Sequence, residues 1–413
     1  MRALLFLVLL PACASSDATP KTPPGATANS APESCDLSTA FVDPGGTDWL
    51  FDPYAHPDAP DGLLALQLCI DAARIASLGT TPTLAVSAAL ETPTGRLGVS
   101  VSLKGKEGSS FQPIDSKAYF RLTLPDGAAA VRHLRLYNLW QDVGQVQGYL
   151  AYQLWRDADY PAPRMGFATV RLNGRDLGLY GVLEEIDEEY FAARPEWFPE
   201  DGNLYEGEYG ADLTAEAFDD LEPEWLHIGT ELPELVNALE GHEGLLHQSV
   251  GVYLDAAEWA RYWALEVLVG AQEGYTQEAN NYYLFEAPAG SGTRFTMLPW
   301  GFDMALHTSL PLELPLGVLA KKGLSDAASA ELLRGVLACE VDRLDWAGAA
   351  AEMTRILPLL EPVYLRQFSP ESGFDTLLVA EDITAQHAAI ARFLTEEPER
   401  IRDWLGGEPC PGG

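Results

Sequence analysis

The chain has 413 residues, of which 47% are hydrophobic and 21% charged, enough for one large domain or two ordinary ones and too apolar for wholesale disorder. Asp and Glu outnumber Lys and Arg by 61 to 26, a formal charge of -35, and so negative a surface repels nucleic-acid phosphates and anionic lipid. No nucleic-acid partner is expected, and a task that needs an amine must draw on six lysines, Lys21, Lys104, Lys106, Lys117, Lys321 and Lys322.

Met1-Arg2 precedes an apolar run from Ala3 to Leu10 and then Pro11-Ala12-Cys13, the layout of a secretory signal and too short for a stable membrane anchor. A Cys directly after such a run reads as a bacterial lipobox, with residues 1–12 removed and Cys13 lipidated, so that the chain is an exported lipoprotein of the cell envelope. The alternative is an ordinary signal peptide cut nearby. Residues 13–45 are largely Ser, Thr, Pro and Ala with few large apolar side chains, a flexible tether that cannot bury enough surface to fold. The remainder, 46–413, is one folded unit. Its cysteines, Cys35, Cys69, Cys339 and Cys410 once Cys13 is set aside, are even in number, as disulfides require. Four cysteines allow three connectivities; pairing Cys35 with Cys69 and Cys339 with Cys410 keeps each bridge local to one end of the chain.

Strands open the folded unit: Leu63 to Ile70, Leu97 to Leu103 and Ala118 to Leu124 alternate as half-buried strands do. A helix follows near Gln147 to Ala158. Gly166 to Leu172 and Leu177 to Glu184 then flank Asn173-Gly174, which suits a tight hairpin. The first half therefore reads as antiparallel sheet. Asp201-Gly202-Asn203-Leu204-Tyr205 turns into a short strand. The period then changes: Ala256 to Val269 is a long helix with Trp259, Tyr262, Trp263 and Val267 on one stripe. Glu266 falls in that stripe, where burial demands hydrogen bonds or neutrality, and it reads as support for the loop that follows. Asn281 to Glu286 and Thr293 to Leu298 form a second hairpin, and helices are expected at Asp342 to Leu357 and Thr384 to Leu394. The fold class is α+β.

Several motifs fail on spacing. His242 and His247 are five residues apart, about 140° around a helix, and cannot share a zinc as the four-residue spacing does. Asp58-Ala59-Pro60-Asp61-Gly62 lacks the ligand pattern of an EF-hand. No G-x-S-x-G or Walker lysine motif is present. What remains is an ordered set of polar residues at the ends of elements. Lys117 opens a strand with Arg121 four residues on, and Glu184-Glu185 close the hairpin, one of them facing inward by alternation. Glu273 begins a loop ending at Asn280-Asn281, and the next hairpin ends at Pro299-Trp300-Gly301-Phe302-Asp303. Phosphoryl transfer needs a cation on the phosphates, oxygen ligands for a metal and a base for the acceptor hydroxyl. Lys117 supplies the first, Asn280 or Asn281 with Asp303 the second, and Glu273 the third.

At these residues the chain resembles the CotH kinase family, over about Leu97 to His307. The shared features are the strand lysine, Pro161-Ala162-Pro163-Arg164, the strand Leu179 to Asp187, Asn203-Leu204-Tyr205, Asn280-Asn281-Tyr282-Tyr283-Leu284 and the Pro299-Trp300 ending. The resemblance implies an atypical protein-kinase-like, two-lobed fold with an antiparallel sheet lobe before a mainly helical one. Residues 310–413 form a helical extension. It implies ATP with Mg2+ or Mn2+ as cofactors and a Ser or Thr hydroxyl of a secreted or envelope protein as acceptor. Lys117 and Arg121 would meet the phosphates, Glu184 or Glu185 would orient the lysine, Trp300 would stack on adenine or serve the core, Asp303 would bind the metal with Asn280 or Asn281, and Glu273 would act as base. Three positions depart from the family pattern: Glu273 stands for Asp, Gly301 for Asp and Glu206 for Lys. The extra methylene of Glu moves a carboxylate by about 1 Å, which costs on the order of a hundredfold in rate. The rival reading is a catalytically weak surface-assembly or binding lipoprotein; another is an envelope protein whose acids bind only calcium.

Overall fold

A computed structural model of the chain describes residues 48–129, 131–198, 200–241, 246–290, 292–367 and 380–411. The expected signal, the tether, Cys13, Cys35 and His242 lie outside the described residues, as does the side chain of His247. In chain order the helices are α1 (Asp48–Phe51), α2 (Ala72–Thr80), α3 (Gln147–Asp157), α4 (Glu188–Ala192), α5 (Leu232–Glu240), α6 (Leu246–Ser249), α7 (Ala256–Leu268), α8 (Tyr275–Glu278), α9 (Val318–Ser325), α10 (Ala327–Arg343), α11 (Trp346–Gln367) and α12 (Ala380–Trp404). The α+β class holds.

Seven strands, β1 (Leu64–Cys69), β2 (Val86–Thr92), β3 (Gly95–Lys104), β4 (Tyr119–Thr123), β5 (His133–Tyr137), β6 (Met165–Leu172) and β7 (Arg175–Glu184), close into a barrel in the order β1-β2-β3-β4-β5-β7-β6. Alternation drives this: along β1 and β3 every second residue, among them Leu66, Leu68, Val99 and Val101, is buried, and those side chains join Phe120, Leu136 and Val182 in one apolar interior. Closure removes both sheet edges. It also corrects the expectation of a purely antiparallel sheet, because the seam runs parallel, with Leu64 opposite Ala168 and Leu68 opposite Leu172. The hairpin turn seals that seam. Asn173 and Gly174 adopt φ of 50° and 80°, as a tight hairpin of this type requires, and the Asn173 side chain accepts from Ile70 N (2.9 Å) and donates to Ile70 O (2.7 Å).

A second sheet, ordered β11-β10-β8-β9, is built from β8 (Asn203–Gly207), β9 (Leu221–Leu226) and the hairpin β10 (Tyr282–Ala289) and β11 (Gly292–Pro299). The strand expected from Asn281 begins one residue later, because Asn281 has φ of 51°. Helix α7 starts where Asp255 accepts from the N–H groups of Ala257 and Glu258, an N-cap, and buries the expected Trp259, Tyr262, Trp263 and Val267. The helix expected over 342–357 is in fact two. Asp345 interrupts it and accepts from Gly348 N at 2.8 Å, so an acid that an apolar stripe hides within a helix instead begins α11. The bridge Cys339–Cys410 (Cα–Cα 4.5 Å) ties α10 to the segment after α12.

Candidate active site

Between the barrel and the second sheet lies a cleft of about 360 Å3. Tyr119 from β4 and Tyr137 from β5 form its barrel wall; Glu273, Asn280 and Asn281 come from the connection between α7 and β10, and Trp300, Gly301 and Asp303 from the segment after β11. An adjoining cavity of about 580 Å3 shares Tyr119, Asn280, Asn281 and Trp300 and adds Lys104, Arg135 and Glu206. Five of the expected residues, Glu273, Asn280, Asn281, Trp300 and Asp303, therefore meet at one place.

The loop that carries Glu273 is set by Glu266. That side chain is 1% exposed and accepts from Tyr262 Oη (2.9 Å), Tyr275 N (2.9 Å), Thr276 N (2.8 Å) and the Thr276 hydroxyl. Burial pushes its carboxyl up to about 7 against the pull of those four donors. A Cβ at Gly274 would stand 2.4 Å from Glu266 Oε1, so the chain passes close over the acid before α8. Glu266→Ala leaves buried N–H and O–H groups without acceptors and opens a cavity. We expect a loss of about 3 kcal/mol in urea unfolding.

The cleft is acidic, and its base is buried. Asp303 is buried; burial first, and then the charges of Glu273 and Asp142, push its carboxyl up to about 7. Glu273 is raised by burial and by Glu278, with Lys106 opposing. Asp142 was not expected to take part. Its two oxygens accept from Val146 N (3.2 Å) and Gly148 N (3.1 Å) at the start of α3, yet burial still carries its carboxyl to about 7. No local signal marks it, because the N-cap position of α3 is Val146 and Asp142 stands four residues earlier.

Lys117 lies in the bend before β4 and is 1% exposed, so it is not a solvated edge lysine. Its Nζ has no hydrogen-bond partner and sits 5.2 Å from the Tyr180 ring centroid. Burial drives its ammonium well below the ordinary range, and Asp142 is the charge that opposes this. Asp142 thus acts on both Lys117 and Asp303, although Lys117 is not part of the cleft lining.

The carboxylates expected to orient Lys117 are held elsewhere. Glu184 pairs with Arg164 and Arg194, each at 2.7 Å. Glu185 takes Arg135 in a two-pronged contact (Nε 2.8 Å, Nη2 2.6 Å), with Arg121 Nε at 3.5 Å. Guanidinium forks match carboxylates better than an ammonium does, and the sequence test of strand alternation carries no information about which cation each Glu finds. Arg121 is accordingly turned to Glu185 and lines neither cavity. The unforeseen cation is Arg135, which lines the adjoining cavity and lies 4.8 Å over the Trp300 ring. One face of Trp300 is thereby covered, while Tyr283 meets it edge-on at 5.5 Å.

A magnesium ion usually takes one or two carboxylates, waters and the phosphates of its nucleotide. Asp303 with the amides of Asn280 and Asn281 fits that donor set, and the unpartnered, buried Nζ of Lys117 fits a group awaiting an anion.

The family model described as CotH kinase protein matches residues 108–315, about half of the chain. The chain belongs to the CotH kinase family. Inner spore coat protein H of Bacillus subtilis (strain 168) is similar at 23% identity over 236 residues, 53% of this chain and 61% of that protein. The chain thus spans about three-fifths of that curated relative's length. The crystal structure of the Helicobacter pylori proinflammatory kinase CtkA aligns over 77% of this chain and 89% of that one, at 10% identity and a TM-score of 0.34, too slight a likeness to argue from.

Backbone and a neighbour both favour glycine at 301. Gly301 has φ of +63°, and a Cβ there would fall 2.6 Å from Asn281 Cγ. The Asn281 side chain occupies the space that an Asp at 301 needs. We expect Gly301→Asp to lower the melting temperature, by about 1–3 kcal/mol of strain and overlap, and Asn281→Gly in the same chain to recover part of it.

Proposed function

We propose that this CotH protein is a phosphotransferase that moves the γ-phosphoryl group of ATP to a Ser or Thr hydroxyl of a secreted or envelope protein. The observation that carries the proposal is the convergence of Glu273, Asn280, Asn281 and Asp303 on one cleft, with the buried Nζ of Lys117 outside that lining and free of hydrogen bonds. Magnesium or manganese bound with ATP would supply charge neutralisation for the transferring phosphoryl group. Asp303 and one or both amides would hold the metal, and Lys117 would meet the phosphates, giving its charge the partner it lacks. Glu273 would take the acceptor's proton; its raised pKa brings it nearer to neutral pH, where a general base works best. Trp300 and Arg135 would form the wall nearest a base or an acceptor. In this reading the barrel serves as the small lobe of a kinase-like pair, and residues 1–12 and 13–45 act as signal and lipid-anchored tether at Cys13.

Labelled ATP with magnesium or manganese and a mixed protein acceptor tests the activity. Transfer is expected in wild type and absent in Asp303→Ala and Lys117→Ala. A chain that neither binds nucleotide nor transfers label would sink it. The second reading, a surface-assembly or binding module, is favoured by one observation: Lys117 lies outside the cleft lining while Glu184 and Glu185 are engaged by arginines.

A further inference from the structure

Among the described residues, the trio of metal-type side chains whose ligand atoms all lie within 4.8 Å of one another is His133, Asp187 and Glu189, and none of them lines the cleft. We propose that these three side chains form a second, zinc-type divalent-cation site that staples the barrel to α4.

Three devices bring them together. His133 is the first residue of β5, at the end opposite Tyr137 of the cleft wall. Asp187 caps α4, its Oδ1 accepting from Tyr190 N at 2.9 Å. Its other oxygen, Oδ2, lies 2.7 Å from His133 Nδ1. The side chain of Glu189, the second residue of α4, makes no hydrogen bond or ion pair among the described residues, its carbonyl alone accepting from Ala193 N, while Arg194, which follows the helix, is committed to Glu184. A His–Asp pair that merely caps a helix needs no third carboxylate. Here an unpaired Glu is held beside another acid, an arrangement that like-charge repulsion disfavours and a cation relieves.

The donor chemistry narrows the ion. One imidazole and two carboxylates suit zinc, whereas magnesium and calcium prefer all-oxygen shells. Tetrahedral bonds of about 2.0–2.2 Å set ligand atoms about 3.4 Å apart, so the trio closes around an ion by side-chain movement alone. The side chains of His133 and Asp187 are 18% and 12% exposed, which leaves an entry path, and water can fill the fourth position. The staple has a target, because Phe191 of α4 stacks on Phe285 of β10 at 4.2 Å. A bound ion would therefore link β5 to the second sheet through α4.

The test uses the full chain with any affinity tag removed and Asp303→Ala in every sample, so that the cleft loses the carboxylate proposed to hold its metal and the outcome is independent of the phosphotransfer proposal. Zinc is titrated by calorimetry and equilibrium dialysis in the presence of millimolar magnesium. We expect saturable zinc binding and a rise in melting temperature of about 4 °C. His133→Ala should lose one zinc per chain, and Glu189→Gln should weaken that same site at least tenfold. Glu189→Gln lies on a half-buried position and keeps the test decisive if His133→Ala does not fold. No zinc binding in the parent chain, or an unchanged stoichiometry and affinity in both variants, overturns the site.

Discussion

Replacing Asp303 by Asn is expected to abolish phosphoryl transfer and yet raise the melting temperature at pH 8. Burial and the charges of Glu273 and Asp142 lift this carboxyl from 3.8 to about 7 in the folded chain. Because the folded value is the higher one, the native state holds a proton that the unfolded chain releases. The stability this gives is fully present below pH 3.8 and is lost as pH rises through about 7. At pH 8 Asp303 is a buried anion with other acids, Glu273 and Asp142, near it. Asn keeps its shape and cannot ionise, so the variant escapes that loss. The gain has an upper bound of roughly 4 kcal/mol at about 1.4 kcal/mol per pH unit, and it shrinks towards zero near pH 4. Melts of wild type and variant across that range give the result directly; curves that run parallel would mean that Asp303 is not the buried acid described here. The loss of transfer should be at least 100-fold, the scale for removing one oriented charge-stabilising group. Retained transfer removes Asp303 from the metal. A stability gain together with an activity loss is the pattern expected of a residue kept for chemistry.

Lys117→Met is the second large effect. An ammonium without a hydrogen-bond partner in a buried pocket is costly, and the folded chain answers by lowering its proton affinity well below the ordinary value of 10.5. The sign is opposite to that of Asp303: between the depressed folded value and 10.5 the unfolded chain binds the extra proton, so wild-type stability climbs with pH. Met fills a similar volume without charge, and replacing a buried charge by an apolar group of like size is often stabilising. We expect the variant to melt higher than wild type at pH 7 by the equivalent of about 2 kcal/mol, with the gap closing as pH approaches 10.5. The same variant should lose any stabilisation that ATP and magnesium give the wild type. A variant that melts lower at pH 7 contradicts the unpaired lysine, and one that still responds to ATP takes Lys117 away from the phosphates.

The candidate site was legible in part, for reasons that differ from residue to residue. Glu273, Asn280, Asn281 and Asp303 stand at the ends of elements whose periods are strong, and connections and strand ends are where reactive side chains collect. Alternation turned one of Glu184 and Glu185 inward; both are buried, because each is claimed by arginines 10 to 50 residues away that no local pattern pairs with them. Asp142 and Arg135 carry no local motif and take their roles from burial alone.

Local order settled much about this protein without any tertiary information. Asn173-Gly174 dictates the β6–β7 hairpin, since left-handed φ at two successive positions suits those residue types, and the aromatic stripe from Trp259 to Val267 dictates α7. An even number of exported cysteines called for disulfides, but the choice of Cys410 as the partner of Cys339, 71 residues away, was settled by the fold. Tertiary structure alone decided that β1 pairs in parallel with β6, a contact whose sealing hydrogen bonds join residues 103 apart. It alone decided that arginines claim the two glutamates, and that Lys117 lies buried without a partner. Period and turn chemistry act over a few residues, whereas the pairing of a strand edge, and the choice between an ammonium and a guanidinium for a buried acid, depend on which surfaces meet once the barrel has closed.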